Sequence, residues 1–353
     1  MKTICLLISI LFATNISFSS AQTAPNIGKD TIRNLVLSGG GTWGIAYCGA
    51  LQEMQNRGKL KDLKRVAGTS VGAIAATALA VGYPTEELTK LIEKLNVEAF
   101  NDQGFPVVGG LVRMSTGFGW FKGIKFEKWV DQLIKNKTGN GSLTFAQLHE
   151  MTKTHPYLDL YITGTDLTQQ KMVIFSFETY PDMKIKDAVR ISMCVPFYFS
   201  AVLMDKYGNL VKKRTSENQA DVMIDGGVIN NYPIEIFDHE KYIGINSGSN
   251  AQEFNKGTVG IRVQRDSQIT YDSKGMGLAP FEIHTFKDFV IAFYTFTIEK
   301  LNKEGREPEN IHRTIAISTL HYSQRVRHIS IKQKTDLFES GRKATKDFFE
   351  GRK

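Results

Sequence analysis

The chain has 353 residues, of which 42% are hydrophobic and 23% charged, and its formal net charge is +8. These values exclude a disordered chain, which is poor in aliphatic and aromatic residues, and they exclude collagen-like and low-complexity classes. Three cysteines are too few for a disulfide scaffold or a cysteine-rich zinc site. Cys48 and Cys194 could pair in an oxidising compartment, but both lie in apolar segments, which favours buried free thiols.

The first 21 residues have the pattern of a cleavable signal peptide. Lys2 supplies the positive start, residues 4–12 are almost purely apolar and too short to span a bilayer, and Ser19-Ser20-Ala21 ends the segment with small residues. A buried N-terminal helix is the alternative interpretation. Export predicts a secreted or periplasmic protein of a bacterial envelope or extracellular medium, whose cleavage lowers the net charge by one.

After a polar lead-in at 22–33, strands, glycine-rich turns and helices alternate, which is typical of a parallel α/β sheet. The predicted elements of this part are strands at 34–38 and 63–67, helices at 44–57 and within 68–82, and a third helix with Thr85 as its N-cap.

The rest of the chain begins with a glycine- and aromatic-rich loop at 101–123. Within it, residues 105–121 are a candidate lid or lipid-facing surface, and the alternative is ordinary packing beneath the active-site loops. Thr144 and Gln147 fit a capping box. The predicted helices lie at 125–136, 144–152, 185–192, 284–303 and 333–350, and the predicted strands at 158–163, 172–177, 222–224, 242–246 and 311–317, with a charged insertion or hairpin at 205–220.

No repeat or linker interrupts this sequence, so we expect one domain over residues 34–353. Within it, residues 34–247 form a motif-bearing core, and residues 248–353 complete the domain with helices and strands.

The segment Gly68-Thr69-Ser70-Val71-Gly72 is a G-x-S-x-G sequence between a predicted strand and a predicted helix. That context is the one that a nucleophile elbow needs. The flanking glycines let neighbouring backbone approach, and the helix start favours negative charge beside the serine hydroxyl. A glycine-lined turn with a serine N-cap is the structural alternative.

A second glycine motif, Gly39-Gly40-Gly41-Thr42-Trp43-Gly44, precedes the serine. Consecutive glycines can point backbone N–H groups into one concavity, as the oxyanion of acyl transfer requires. The same letters satisfy G-x-G-x-x-G, and Asp62 lies near the spacing of a dinucleotide-binding carboxylate. A dinucleotide-binding protein therefore stays a competing hypothesis, although export argues against a dissociable nicotinamide cofactor.

The third motif is Asp225-Gly226-Gly227, at the end of an apolar segment. A serine nucleophile needs a base, and Asp225 is a candidate; an aspartate turn is the structural alternative. A Ser-Asp-His order is also possible, because the later histidines are His239, His284, His312, His321 and His328.

Together the motifs at 39–44, 68–72 and 225–227 resemble those of the patatin-like phospholipase family. The segments at 119–123, 162–166, 187–192, 195–197 and 230–233 also look like that family, and the resemblance covers about residues 34–247. It implies a three-layer α/β/α patatin-like fold with a mostly parallel central sheet. It also implies a lipid acyl hydrolase, a phospholipase A or lysophospholipase-like esterase, that uses a Ser-Asp dyad without histidine.

Carried onto this chain, the resemblance makes Ser70 the nucleophile, Asp225 the base, and the amides of Gly39, Gly40 and Gly41 the oxyanion hole. One position departs from the family, which usually has Lys or Arg where this chain has Trp43. A cation there could contact a lipid phosphate, so the departure favours a neutral lipid or simple ester.

We expect a lipid or membrane-surface substrate, no metal and no cofactor, and the positive charge favours anionic surfaces. No nucleic-acid-binding motif accompanies the high pI. An unknown activator is compatible with the sequence. The alternative of another class is a non-catalytic lipid- or membrane-binding protein on a hydrolase scaffold.

Overall fold

The computed structural model describes residues 31–102, 114, 117–243, 254–301, 308–322 and 329–352. The predicted signal peptide, most of the polar lead-in and much of the 101–123 loop lie outside these residues. Within them, no helix combines the length and the apolar character needed to cross a membrane.

A central sheet of nine strands and a separate pair of strands organise the described residues. The strands are β1 (Asn34–Leu37), β2 (Arg65–Gly68), β3 (Gly119–Phe121), β4 (Asp159–Asp166), β5 (Lys171–Phe175), β6 (Phe197–Phe199), β7 (Val202–Met204), β8 (Leu210–Val211), β9 (Asp221–Asp225), β10 (Thr258–Gln264) and β11 (Thr314–Ser318). Five strands of the central sheet run parallel in the order β11-β10-β1-β2-β4. On the far side of β4 the order continues antiparallel as β9-β7-β8, and β5 also pairs antiparallel with β4. The separate pair consists of the parallel strands β3 and β6.

Helices cover both faces of the sheet, which confirms the predicted α/β/α architecture. Along β1 the buried side chains alternate, since Leu35 and Leu37 join the large apolar cluster of one face and Val36 joins a smaller cluster on the other. The helices are α1 (Ile45–Asn56), α2 (Val71–Ala80), α3 (Thr85–Lys94), α4 (Ile124–Thr138), α5 (Phe145–Met151), α6 (Ile185–Ser192), α7 (Gly227–Asn230), α8 (Glu240–Ile243), α9 (Asp266–Ser273), α10 (Phe286–Leu301), α11 (Pro308–His312) and α12 (Ile331–Phe349).

Two predicted helix starts have different outcomes. The capping box of α5 is confirmed, because the Thr144 hydroxyl accepts the Gln147 amide at 3.3 Å and the Gln147 side chain accepts the Thr144 amide at 3.0 Å. The Thr85 cap is wrong by one position: Pro84 precedes the helix, and the Thr85 hydroxyl instead donates to the Gln55 side chain at 2.9 Å.

The strand predicted at 242–246 is also wrong where the structure describes it, because Tyr242 and Ile243 belong to α8. The strand that joins the sheet is β10, which pairs in parallel with β1. Its centre carries Gly260, where a Cβ atom would overlap the hydroxyl group of Tyr232. The sheet therefore continues beyond the predicted core of 34–247.

Candidate active site

Ser70 occupies a sharp turn between β2 and α2, with φ 53° and ψ −124°. Such a backbone conformation is uncommon for a residue with a side chain, and strained residues of this kind cluster at active sites. Glycine is required on both sides, since a Cβ at Gly68 would overlap the Gly72 carbonyl and one at Gly72 would overlap the carbonyls of Leu37 and Ser38. The predicted strand–turn–helix context of Ser70 is therefore present.

Neighbouring hydroxyl groups hold this turn in place. The Ser70 amide donates to the hydroxyl of the buried Ser192 at 2.9 Å, and the hydroxyls of Thr69 and Thr163 lie 2.7 Å apart. These bonds satisfy buried polar groups of the turn. The Ser70 hydroxyl itself remains directed at Asp225.

Ser70 Oγ donates to Asp225 Oδ2 at 2.8 Å, although 155 positions separate the two residues. Strand β4 brings them together, because Gly68 at the end of β2 pairs with Ile162 and Asp225 at the end of β9 pairs with Gly164. The ends of β2 and β9 therefore lie two residues apart along one strand.

Asp225 is buried, and burial raises the pKa of its carboxyl to about 7. Two hydrogen bonds oppose this rise: the Gly227 amide donates to Oδ1 at 2.7 Å, and Ser70 donates to Oδ2. At neutral pH this carboxyl group is therefore able to accept and to return a proton, as a general base and acid must.

The glycine motif at 39–44 borders Ser70, and its three predicted oxyanion donors differ in their bonding. The Gly39 amide donates to the Asn231 carbonyl at 3.0 Å, so Gly39 has no free donor to offer. Among the described residues, the amides of Gly40 and Gly41 donate to no protein group. Gly41 has φ +53° at the first position of a 3-10 turn (Gly41–Gly44), a conformation that suits glycine.

A cavity of about 720 Å³ opens beside Ser70 and Asp225 and is bordered by Gly39, Gly40 and Gly41. One part of its wall is apolar, and another carries charged side chains that include Arg262. The apolar lining residues are Ile74, Ile92, Leu95, Val97, Phe100, Phe126, Val195 and Phe199. Trp43, the departure from the family pattern, is buried in the same wall.

The competing histidine base finds no support in the described geometry. No described histidine bonds to the Ser70 hydroxyl, whose partners are Asp225 and, at 3.5 Å, the sulfur of Met193. His321 lines the cavity, but its side chain is 89% exposed. His328 lies outside the described residues.

The structure does not support the dinucleotide hypothesis. Asp62 lies before β2, at the opposite end of that strand from the glycine motif and Ser70, where it cannot reach a ligand held at the site. Within the described ranges, no three or more His, Cys, Asp or Glu side chains are grouped so that they could hold a metal ion.

Cys48 and Cys194 are both free and buried, as expected. Burial raises the pKa of Cys48 to about 12 and also raises that of Cys194. Both thiols are therefore uncharged at neutral pH.

Sequence reasoning missed the hydrogen bonds of Ser192 and Asn231 and the position of Arg262 in the cavity wall. In the sequence, both Asn231 and Ser192 belong to segments that look like the family, and Ser192 also ends a predicted helix. The hydrogen bonds of Ser192 and Asn231 run to residues far away in the sequence, so no local pattern marks these two side chains.

Comparison with known proteins gives a consistent result. The patatin-like phospholipase family matches residues 35–238. An uncharacterized protein of Acanthamoeba polyphaga mimivirus is 30% identical over 92% of this chain and 96% of its own length. A probable lipid hydrolase of invertebrate iridescent virus 6 is 30% identical over 58% of this chain and 62% of that protein.

Two more distant similarities support narrower conclusions about this chain. Triacylglycerol lipase 4 of Saccharomyces cerevisiae is 29% identical over 60% of this chain, which spans 23% of that lipase. The crystal structure of VipD from Legionella pneumophila has a TM-score of 0.59 at 18% identity, over 92% of this chain and 67% of VipD, which is a likeness of fold.

Proposed function

Because this chain belongs to the patatin-like phospholipase family, we propose that it is a lipid acyl hydrolase of the phospholipase A or lysophospholipase kind, with a Ser70–Asp225 dyad. The observation that carries the proposal is the hydrogen bond of 2.8 Å from Ser70 Oγ to Asp225 Oδ2. The Ser70 turn and the adjacent apolar cavity support the same role.

In the first step, Ser70 Oγ attacks the carbonyl carbon of the lipid ester while its proton passes to Asp225 Oδ2. The raised pKa of Asp225 makes it a stronger base than an exposed aspartate. The protonated carboxyl group then returns the proton to the departing alcohol, which leaves an acyl group on Ser70. The Gly227 amide fixes the orientation of the carboxyl throughout.

The tetrahedral intermediate carries negative charge on the former carbonyl oxygen. We assign its stabilisation to the amides of Gly40 and Gly41, which border the cavity and donate to no described protein group. Prealigned donors of this kind contribute strongly because they need no rearrangement during the reaction. Gly39, whose amide is bonded to Asn231, supports the loop instead.

In deacylation, a water molecule is the nucleophile and Ser70 is the leaving group. Asp225 takes a proton from a water molecule that attacks the acyl carbon, and then returns it to Ser70 as the fatty acid leaves. Both half-reactions need only the dyad and the amide donors, so the proposed reaction includes no metal or cofactor.

The substrate is proposed to be met at a lipid surface, and exposed phenylalanines support this. On α10, Phe289, Phe293 and Phe296 are 54%, 65% and 55% exposed and fall on one side of the helix, because they are spaced by four and three residues. The same helix contributes Thr295 and Ile298 to the cavity wall.

The β6 segment repeats this arrangement. Phe197 is 72% exposed, whereas Tyr198 and Phe199 line the cavity. Two segments therefore combine apolar side chains outside the cavity with lining residues inside it, which suits an enzyme that draws lipid from a surface. The net charge of +8 favours an anionic surface. The proposal also includes export of the protein directed by its N-terminal segment and dependence of its activity on an activator.

Labelling with a fluorophosphonate probe, together with fatty-acid release from phospholipid, monoacyl lipid and p-nitrophenyl esters, tests the proposal. We expect the wild-type protein to be labelled and active, and Ser70→Ala to lose both properties. Ser216→Ala, which changes an exposed serine outside the cavity, is the matched control. Equal activity of Ser70→Ala would show that the assigned site is wrong, and an inert wild-type serine would favour the non-catalytic lipid-binding alternative.

A further inference from the structure

Three arginines are buried in the part of the chain that the structure describes, and two of them have protein partners. Arg313 bonds the carboxylate of Asp238 at 2.6 Å. Arg190 donates to the carbonyl oxygens of Lys122 and Ser200 at 2.7 and 2.9 Å. These contacts follow the usual rule that a buried positive charge is paired or hydrogen-bonded.

Arg262 on β10 is the exception. Arg262 is 7% exposed, yet its side chain makes no ion pair and no hydrogen bond within the described ranges. Its guanidinium carbon lies 5.7 Å from the centre of the Tyr232 ring, which is a contact between a cation and an aromatic face. Arg262 also lines the cavity that contains Ser70 and Asp225.

A charge in this position is costly unless an anion approaches it, because burial removes most of its hydration. Arg265, three residues further on, also lines the cavity but pairs with Glu299 at 3.4 Å. The pKa of Asp225 responds to burial, Gly227 and Ser70. Arg262 thus remains available to a ligand in the cavity.

We propose that Arg262 binds the phosphate of a glycerophospholipid or lysophospholipid whose acyl ester lies at Ser70. This inference rests on the proposed function and names its substrate class. A guanidinium group offers a planar pair of N–H donors that match two phosphate oxygens. In such a lipid, only a few bonds separate the phosphate from the ester, so one cavity accommodates both groups.

This assignment reverses the expectation drawn from Trp43. The family's usual cation is missing from the glycine motif, but β10 supplies one from a different strand. Arg262 lies beyond residues 35–238, the range that the family matches. A neutral lipid would leave Arg262 buried without an anion, so the cavity discriminates against it.

The test compares two substrates with the same acyl chain, lysophosphatidylcholine and monoacylglycerol, which differ in the phosphate. We expect Arg262→Met to lower kcat/KM for the lysophospholipid by at least about 10-fold and for the monoacylglycerol by less than about 3-fold, with Arg262→Lys in between. Lys171→Met, which removes an exposed charge outside the cavity, serves as the control. Equal losses on both substrates, or no loss, would overturn the proposal.

Two further measurements keep the proposal testable if Arg262→Met does not fold or the protein hydrolyses neither lipid. Calorimetric binding of both lipids to Ser70→Ala, which needs no turnover, should favour the phosphate-bearing lipid by about 10-fold. Equal binding would overturn the role of Arg262 whatever the fate of the proposed dyad. Competition with glycerophosphocholine and with inorganic phosphate then separates the sources: strong inhibition by inorganic phosphate alone would identify a free-phosphate site and contradict the head-group assignment.

Discussion

Asn231 bonds both sides of Gly39: the Gly39 amide donates to the Asn231 main-chain carbonyl at 3.0 Å, and the Asn231 side-chain amide donates to the Gly39 carbonyl at 3.1 Å. The pair ties the glycine motif at 39–44 to the segment that follows Asp225. The proposed oxyanion donors and the proposed base are therefore held by one connection.

Replacing Asn231 should loosen that connection. We expect Asn231→Ala and Asn231→Asp, neither of which can donate to Gly39, to lower kcat by about 10-fold with little change in KM, because a displaced donor costs less than a missing one. Steady-state kinetics on a p-nitrophenyl ester measure both constants. Asn140→Ala, at an exposed turn, is the control, and a full rate in the Asn231 variants would contradict this role.

The pH dependence of the rate should report the state of Asp225. Its carboxyl must be ionised to accept the Ser70 proton, so kcat/KM should rise with pH, follow an apparent pKa near 7 and level off above it. Profiles at two temperatures identify the group, because a carboxyl pKa changes little with temperature and an imidazole pKa changes strongly. A strongly temperature-dependent pKa would indicate a histidine base.

The same carboxyl should make stability depend on pH. Its folded-state pKa is raised from 3.8 to about 7, so its contribution to stability is complete below the unfolded pKa and is lost as pH rises through about 7. The loss is at most about 4 kcal/mol. Asp225→Asn removes this ionisation. The free energy of unfolding in urea, relative to wild type, should therefore be higher for the variant at pH 8 than at pH 5. An equal difference at both pH values would contradict the raised pKa.

The exposed phenylalanines of α10 should matter on lipid surfaces. Each of Phe289, Phe293 and Phe296 exposes more than half of its surface. Changing all three to serine removes this apolar area from contact with lipid, so vesicle binding should weaken by about 10- to 100-fold. Vesicle sedimentation measures this. Tyr207→Ser, which changes an aromatic residue that is 72% exposed on a turn away from this helix, is the control. Unchanged binding would place the lipid-facing surface elsewhere.

Local chemistry explains how much of this site could be predicted. The turn at Ser70 and the motif that begins at Asp225 can be recognised in the sequence because glycine and the reacting residue occur within five positions of each other. β10 was not predicted, because Gly260 and the buried Arg262 interrupt its apolar pattern. Gly260 packs against Tyr232, and Arg262 contacts Tyr232 and lines the cavity. These contacts involve residues distant in the sequence, so the local pattern does not indicate them.

The pairing of β4 with both β2 and β9 has a consequence for how such a protein can vary. A shift of β9 by one residue would turn the Asp225 side chain to the other face of the sheet and separate it from Ser70. The length of the connections between these strands has no such effect. Loops that select substrates can therefore be lengthened, shortened or exchanged while the reacting atoms keep their positions.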